Sequence, residues 1–245
     1  MFHKTSSGNR IWYQLQGSGM GLLIIHGLGG DLETMLPVSQ NIKGNFTKVL
    51  VDAPCHGKSD DFGITLEELG SDLISLMENL GFRKFYSVGV SLGSIILEEM
   101  MLDHGENMTK NALISPASEI DSIVVNKVAS WAASENRVSA DVLSESYLAD
   151  HREEVDAYDR DHPMQPERLY PLIPSLMNFT VRGRHSDSEC LLLVAEHDTI
   201  FGERMSADLR ETFRNSRVIL MNSGHAIHRE NPLEAARIIS EYFGK

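Results

Sequence analysis

Basic residues are scarce in this chain. Its 245 residues hold 22 Lys and Arg against 35 Asp and Glu, a formal net charge of -13. A surface of that sign repels phosphate backbones, so nucleic-acid binding is not expected. The acidic excess peaks between Glu119 and Asp161. Eleven Asp and Glu there face four Lys and Arg, a net of -7, which reads as a solvated helical surface, the alternative being a bias against polyanionic substrates. Cysteine is almost absent. Cys55 and Cys190 cannot build a disulfide framework, and Cys190 opens an apolar run, where a buried, inert thiol belongs. No apolar stretch approaches the roughly 20 residues of a membrane span. Met1 to Gly8 carries no apolar signal region, so the expected location is cytoplasmic, without membrane insertion. Internal repeats and low-complexity segments are also missing.

What remains is an alternation of short apolar runs and amphipathic stretches. The length suits one large α/β domain with a sizeable core. Phe2–Thr5 and Ile11–Leu15 read as a hairpin around Ser6-Ser7-Gly8-Asn9. Leu22–Ile25, Lys48–Val51, Phe85–Val88, Ala112–Ile114, Leu191–Val194 and Val218–Met221 read as buried strands. Thr65 and Glu68 form a capping box ahead of a stripe of Leu66, Leu69, Leu73, Leu76, Met77 and Leu80, which Gly81 ends. Further helices are expected near Ser91–Asp103, Gly202–Phe213 and Pro232–Phe243. This order predicts a mostly parallel sheet with helices on both faces.

One segment breaks the rhythm. Pro116 to about His185 holds no convincing strand. Ile120, Ile123, Val124, Val128 and Trp131 recur at helical spacing, as do Val142, Leu143, Tyr147 and Leu148 after the candidate cap Ser139. Pro166, Pro171 and Pro174 restrict the following helices to short or kinked pieces. A helical insertion of about seventy residues is expected, because a structureless loop that long is rare.

The chemistry concentrates where predicted strands end. Gly89-Val90-Ser91-Leu92-Gly93 joins a strand to a helix through a serine between two glycines, the layout of a nucleophile elbow. A serine hydroxyl needs a base, an orienter for that base and donors for the oxyanion. His225 follows the last strand, after Gly224, and is the candidate base. His228 is its competitor and is expected to be a supporting or surface residue. Asp198 follows Leu191–Val194 and is the candidate orienting acid, with Glu196 and His197 as rivals. His26-Gly27-Leu28-Gly29-Gly30 follows the strand Leu22–Ile25, and the amides of Leu28 and Leu92 are candidate oxyanion donors. That loop lacks the G-K-[ST] ending of a phosphate-binding loop and does not match G-x-G-x-x-G, so nucleotide binding is disfavoured.

Four motifs in this order resemble the α/β-hydrolase superfamily, in its capped esterase and lactonase branch. They are His26–Gly30, Asp52-Ala53-Pro54-Cys55-His56-Gly57-Lys58-Ser59, the Ser91 elbow, and Gly224-His225 followed by Glu230-Asn231-Pro232. The resemblance implies a core of residues 1–116 and 186–245, with a helical cap of residues 117–185 inserted after the sixth core strand. It implies a Ser91–Asp198–His225 triad, no metal and no organic cofactor, and a structural role for the Asp52–Ser59 motif. Cys55 and Ala195 depart from the pattern, which usually has glycine at both places. Cys55 would be strained if its site requires a positive φ. The implied reaction is hydrolysis of a small carboxylic ester, thioester or lactone through an acyl-enzyme on Ser91. The rival readings are carbon–carbon bond hydrolysis, a lyase step or perhydrolysis with the same triad, and a non-catalytic binding protein. The cap residues Trp131, Leu172, Leu176, Met177 and Phe179 are candidate pocket walls, and Arg168, Arg182 and Arg184 are available should the substrate be anionic.

Overall fold

The apolar runs become eight strands of one sheet. They are β1 (Phe2–Lys4), β2 (Arg10–Gly17), β3 (Met20–Ile25), β4 (Phe46–Val51), β5 (Phe85–Val90), β6 (Met108–Ile114), β7 (Cys190–Ala195) and β8 (Ser216–Met221). The structure is a computed structural model and describes residues 1–133, 138–161, 165–201 and 203–244. The sheet order is β1-β2-β4-β3-β5-β6-β7-β8. β1 and β2 form the antiparallel hairpin, β2 pairs antiparallel with β4, and all other pairings are parallel.

The helices are α1 (Leu36–Ser39), α2 (Leu66–Asn79), α3 (Leu92–Asp103), α4 (Ser122–Ala133), α5 (Val138–Val142), α6 (Glu145–Asp161), α7 (Pro166–Leu169), α8 (Ile173–Met177), α9 (Ser206–Thr212), α10 (Ile227–Glu230) and α11 (Pro232–Phe243). They cover both faces of the sheet. On β3, Leu23 and Ile25 pack on one face with Leu69 and Leu73 of α2 and Ile96 of α3. Leu22 and Ile24 pack on the other with Val38, Ala235 and Ile239. Period-two alternation thus fills both layers with apolar side chains, as a parallel sheet requires. Each fully buried leucine contributes roughly 2 kcal/mol of hydrophobic stabilisation. β8 departs from the expected burial. It is the last strand of the sheet, and Leu220 on it is exposed.

Local chemistry sets the ends of α2. Thr65 Oγ1 accepts from the Glu68 amide at 3.1 Å, and Glu68 Oε2 accepts from the Thr65 amide at 3.1 Å. Such a cap stabilises a helix by about 1 kcal/mol. Gly81 takes φ +91 just beyond the helix. Between β6 and β7 lie α4 to α8, and the described residues there make only isolated bridges, such as Glu119 with Thr180. Pro166 and Pro174 sit in the first turns of α7 and α8, where no amide is needed. Ser139 is not a cap. It lies within α5, and Ser144 takes that part for α6 by accepting from the Tyr147 amide at 3.2 Å. Gly202, the expected start of the helix ending near Phe213, lies outside the described residues.

This topology positions a site. β3 is flanked by β4 on one side and β5 on the other, so the loops leaving β3 and β5 diverge. A crevice opens at the carboxyl ends of strands where the order reverses. His26 follows β3, Ser91 follows β5, Ser115 follows β6 and Glu196 follows β7, all at that edge of the sheet.

Candidate active site

Ser91 occupies a sharp turn. Its φ is 51 and its ψ is -108, and its amide donates to Ile114 O on β6 at 2.9 Å. The two flanking glycines are spatially required. A Cβ on Gly89 would lie 2.5 Å from the Gly93 carbonyl carbon, and a Cβ on Gly93 would lie 2.3 Å from Ile25 O. The first turn of α3 can therefore press against the end of β3 only because these positions carry no side chain.

Three side chains converge there. Ser91 Oγ is 2.9 Å from His225 Nε2, and His225 Nδ1 is 2.8 Å from Asp198 Oδ2. Asp198 is buried, which alone would raise its pKa. The charge and hydrogen bond of His225, with amide donation from Phe201 and Ile200 to Oδ1, outweigh burial and hold the carboxyl below its ordinary value. An ionised Asp198 accepts a hydrogen bond from His225 Nδ1–H, which fixes the proton on Nδ1 and leaves Nε2 as an acceptor for the serine hydroxyl. The rivals lie elsewhere. His197 bonds Asn222 Oδ1 at 3.0 Å, and Glu196 is exposed.

The backbone of His225 is tied from two sides. Ser115, itself at φ 49, donates its hydroxyl to His225 O at 2.6 Å. Glu230 Oε1 accepts from the Gly224 amide at 3.0 Å and the Ser144 amide at 2.7 Å, while Oε2 accepts from Ser144 Oγ at 2.7 Å. The Ala226 amide also donates to Val142 O at 2.8 Å. Sequence reasoning missed Ser115 and assigned no part to Glu230. Glu230 lies in the motif that follows His225 and is marked by it, whereas nothing in the sequence marks Ser115.

The loop after β3 rests on the Asp52–Ser59 motif. Asp52 Oδ1 accepts from the Leu32 amide and Oδ2 from the Lys58 amide, both at 2.8 Å. His56 Nε2 accepts from the Gly29 amide at 3.0 Å, which places its proton on Nδ1, donated to Pro54 O at 2.8 Å. His26 repeats the pattern, with Nε2 accepting from the Ala53 amide at 3.0 Å and Nδ1 donating to Gly27 O at 2.7 Å. The two rings stand 4.9 Å apart. Burial and the neighbouring His26 push His56 down to about 3, and burial lowers His26 as well. Cys55 takes φ 69 within this motif, so the residue that departs from glycine sits where glycine is favoured. Leu28, at the centre of the supported loop, lines the same cavity as Ser91 and Leu92.

That cavity measures about 450 Å³, within the range of small-molecule sites. Its walls are mostly apolar. Val124, Val128 and Trp131 come from α4, Leu169 from α7, Leu176 and Met177 from α8, and Ile200 and Phe201 from the loop after β7. Trp131 donates its indole N–H to Asp141 Oδ2 at 2.7 Å. Two expected wall residues are not on the cavity. Leu172 and Phe179 are buried in the core cluster, because these short helices turn Ile173 and Leu176 toward the opening instead. Arg168 is drawn to Asp61, Arg182 to Asp208 and Glu119, and Arg184 to Glu99 and Asp103, and none of the three lines the cavity. His228 does line it, with its Nδ1 sealed from solvent and burial pushing the ring down to about 3. Among the described residues, no group of three or more His, Cys, Asp or Glu is placed to hold a metal ion, and no helix is long and apolar enough to cross a membrane.

Comparison with known proteins supplies the family. The model described as "Alpha/beta hydrolase family" matches residues 22–238. Over 146 residues the chain is 27% identical to the dihydrolipoyllysine-residue acetyltransferase component of an acetoin cleaving system from Cupriavidus necator, covering 58% of this chain and 39% of that protein. Over 112 residues it is 34% identical to a pimeloyl-[acyl-carrier protein] methyl ester esterase from Salmonella heidelberg, covering 45% of this chain and 41% of that protein. The chain thus spans about two fifths of the length of these curated relatives. Among solved structures, the enol-lactonase from Burkholderia xenovorans LB400 superposes with a TM-score of 0.87 at 17% identity, covering 100% of both chains.

Proposed function

The chain belongs to the alpha/beta hydrolase family, and from that premise we propose that it is a serine hydrolase of small carboxylic esters, thioesters or lactones. The observation that carries the reading is the continuous hydrogen-bonded line from Ser91 Oγ through His225 to Asp198 at the floor of an apolar cavity. His225 Nε2 takes the Ser91 proton as Oγ attacks the carbonyl carbon. The carbonyl oxygen becomes an oxyanion, held by the Leu28 and Leu92 amides. His225 then gives its proton to the departing alcohol, thiol or lactone oxygen, leaving an acyl-enzyme. Water, deprotonated by His225, attacks that acyl group and restores Ser91. Residues 117–185 act as a cap over the core of residues 1–116 and 186–245, and supply most of the apolar wall. No cofactor takes part in this scheme, and the protein works as a cytoplasmic enzyme.

Two observations favour this reading over its rivals. Arg168, Arg182 and Arg184 are held in ion pairs and do not line the cavity, so these three do not support the carbon–carbon hydrolase reading. The hydrogen bond between Ser91 and His225 supports a role in attack, which a passive binding protein does not need. The net charge of -13 also opposes large polyanionic carriers and favours free small esters. Turnover of p-nitrophenyl acetate tests the proposal. Ser91→Ala should lose essentially all of it while keeping the wild-type melting temperature, and a fluorophosphonate should label wild type but not the variant. Undiminished turnover by Ser91→Ala would refute the assignment.

A further inference from the structure

A polar stretch of the cavity wall lies immediately beyond His225. Arg229, on α10, is four residues past His225. Its guanidinium stacks over the Tyr158 ring at 4.2 Å, and Nη1 donates to Ser139 Oγ at 2.8 Å. Ser139 Oγ in turn donates to Asp159 Oδ1. All four residues line the cavity, on walls contributed by α5, α6 and α10. Ser139 and Tyr158 thus hold the guanidinium in place, and Asp159 orients the hydroxyl so that its lone pair faces Nη1.

Arg229 differs from four other arginines around this segment. Arg168, Arg182, Arg184 and Arg204 each meet a carboxylate at ion-pair distance. Among the described residues, no carboxylate lies that close to Arg229. Asp159 reaches it only through the Ser139 hydroxyl, which uses one carboxylate oxygen and one guanidinium N–H. The remaining N–H groups form a planar fork that fits a carboxylate, and they sit on the wall of a substrate-sized cavity. Holding a partly desolvated cation with no counter-ion among the described residues costs stability, and a ligand anion would offset that cost.

Resting on the serine hydrolase reading, we infer that Arg229 is a specificity-determining residue that binds a free carboxylate on the substrate. The preferred substrate is then an ester whose acyl or alcohol portion ends in a single carboxylate, joined by an apolar spacer that fits the Val124, Val128 and Leu176 wall. The surface charge and Arg229 divide the work of selection. The acidic surface discourages polyanions at long range, an effect that salt screens, while the local fork accepts one carboxylate at contact.

Matched ester pairs test this in a pH-stat. Monoethyl adipate is compared with ethyl hexanoate, placing the carboxylate on the acyl side. Omega-acetoxyvalerate is compared with pentyl acetate, placing it on the alcohol side. In wild type, kcat/KM should favour the acid of at least one pair by about tenfold or more, through KM, as a charge-assisted pair would give. Arg229→Gln should bring that ratio close to one, and Arg229→Lys should retain part of it. The ratio cancels any general loss caused by the substitution. Equal or better turnover of both neutral esters by wild type overturns the inference and leaves the hydrolase reading standing. If no ester is turned over, the hydrolase reading fails, and calorimetry decides about Arg229. Monoethyl adipate should then bind wild type at least tenfold more tightly than ethyl hexanoate and lose that advantage in Arg229→Gln. Equal binding refutes it.

Discussion

Acid should destabilise this protein through His56, and the size of the effect follows from its hydrogen bonds. His56 is buried, and both ring nitrogens are committed, Nε2 as acceptor from Gly29 and Nδ1 as donor to Pro54. A second proton on Nε2 would point at an amide hydrogen. Burial and His26 together bring the group down to about 3, from an ordinary 6.5. The folded pKa is therefore below the unfolded one. Above pH 6.5 neither state binds the extra proton and the stabilisation is complete. Below it, the unfolded chain takes up a proton that the folded protein refuses, so stability falls with falling pH until the folded pKa is reached. The slope is about 1.4 kcal/mol per pH unit for one proton, or roughly 2 kcal/mol lost by about pH 5. His56→Gln can preserve an acceptor for Gly29 but cannot titrate. Urea unfolding followed by tryptophan fluorescence, from about pH 7.5 to about pH 5, should show the variant's stability declining less steeply by that one-proton slope. His26 should leave a remaining decline in both proteins, because its shift has the same sign. Parallel curves, separated by a constant offset, would refute the reasoning.

Three further outcomes are expected. Asp198→Asn should keep the fold but reduce kcat by several orders of magnitude, because an amide no longer fixes the protonated Nδ1 of His225, and single-turnover kinetics would reveal this. At Cys55, glycine should be more stable than alanine by about 1 kcal/mol in urea unfolding, because alanine keeps the positive-φ strain that glycine relieves. Glu230→Ala leaves the Gly224 and Ser144 amides without their acceptor, so a loss of roughly 2 kcal/mol and a lower kcat are expected, with Glu230→Gln recovering part of both.

The core was readable because its signals are local. The run Leu22–Ile25 is apolar at every position, as a strand buried on both faces must be, and Thr65 with Glu68 marks a helix start by chemistry alone. Ser91 was readable for a related reason, since the strand-to-helix turn imposes glycine at Gly89 and Gly93. The cavity wall was readable only in part: Trp131, Leu176 and Met177 line it, whereas Leu172 and Phe179 do not. Leu172 and Ile173 are adjacent, yet one is buried in the core and the other lines the opening. Helices of four or five residues interrupted by proline have no extended period from which to read a face. Arg229 escaped for a different reason. Its importance lies in having no counter-ion among the described residues, and a missing contact leaves no mark in a sequence. The exposure of Leu220 was equally hidden, because an edge strand and a central strand share the same apolar composition.

The hydrogen bonds joining Ser144 and Val142 to Glu230 and Ala226 bear on how far this architecture is modular. The segment between β6 and β7 looks like an exchangeable part, since the sheet closes without it. Yet one of its turns shares a carboxylate with the loop that carries His225. A chimera that imported a foreign segment would lose the Ser144 hydroxyl and leave Glu230 with an unmet lone pair beside His225. Transplanting a new substrate preference into this protein therefore requires carrying over the Val142–Ser144 turn, or redesigning position 230 with it.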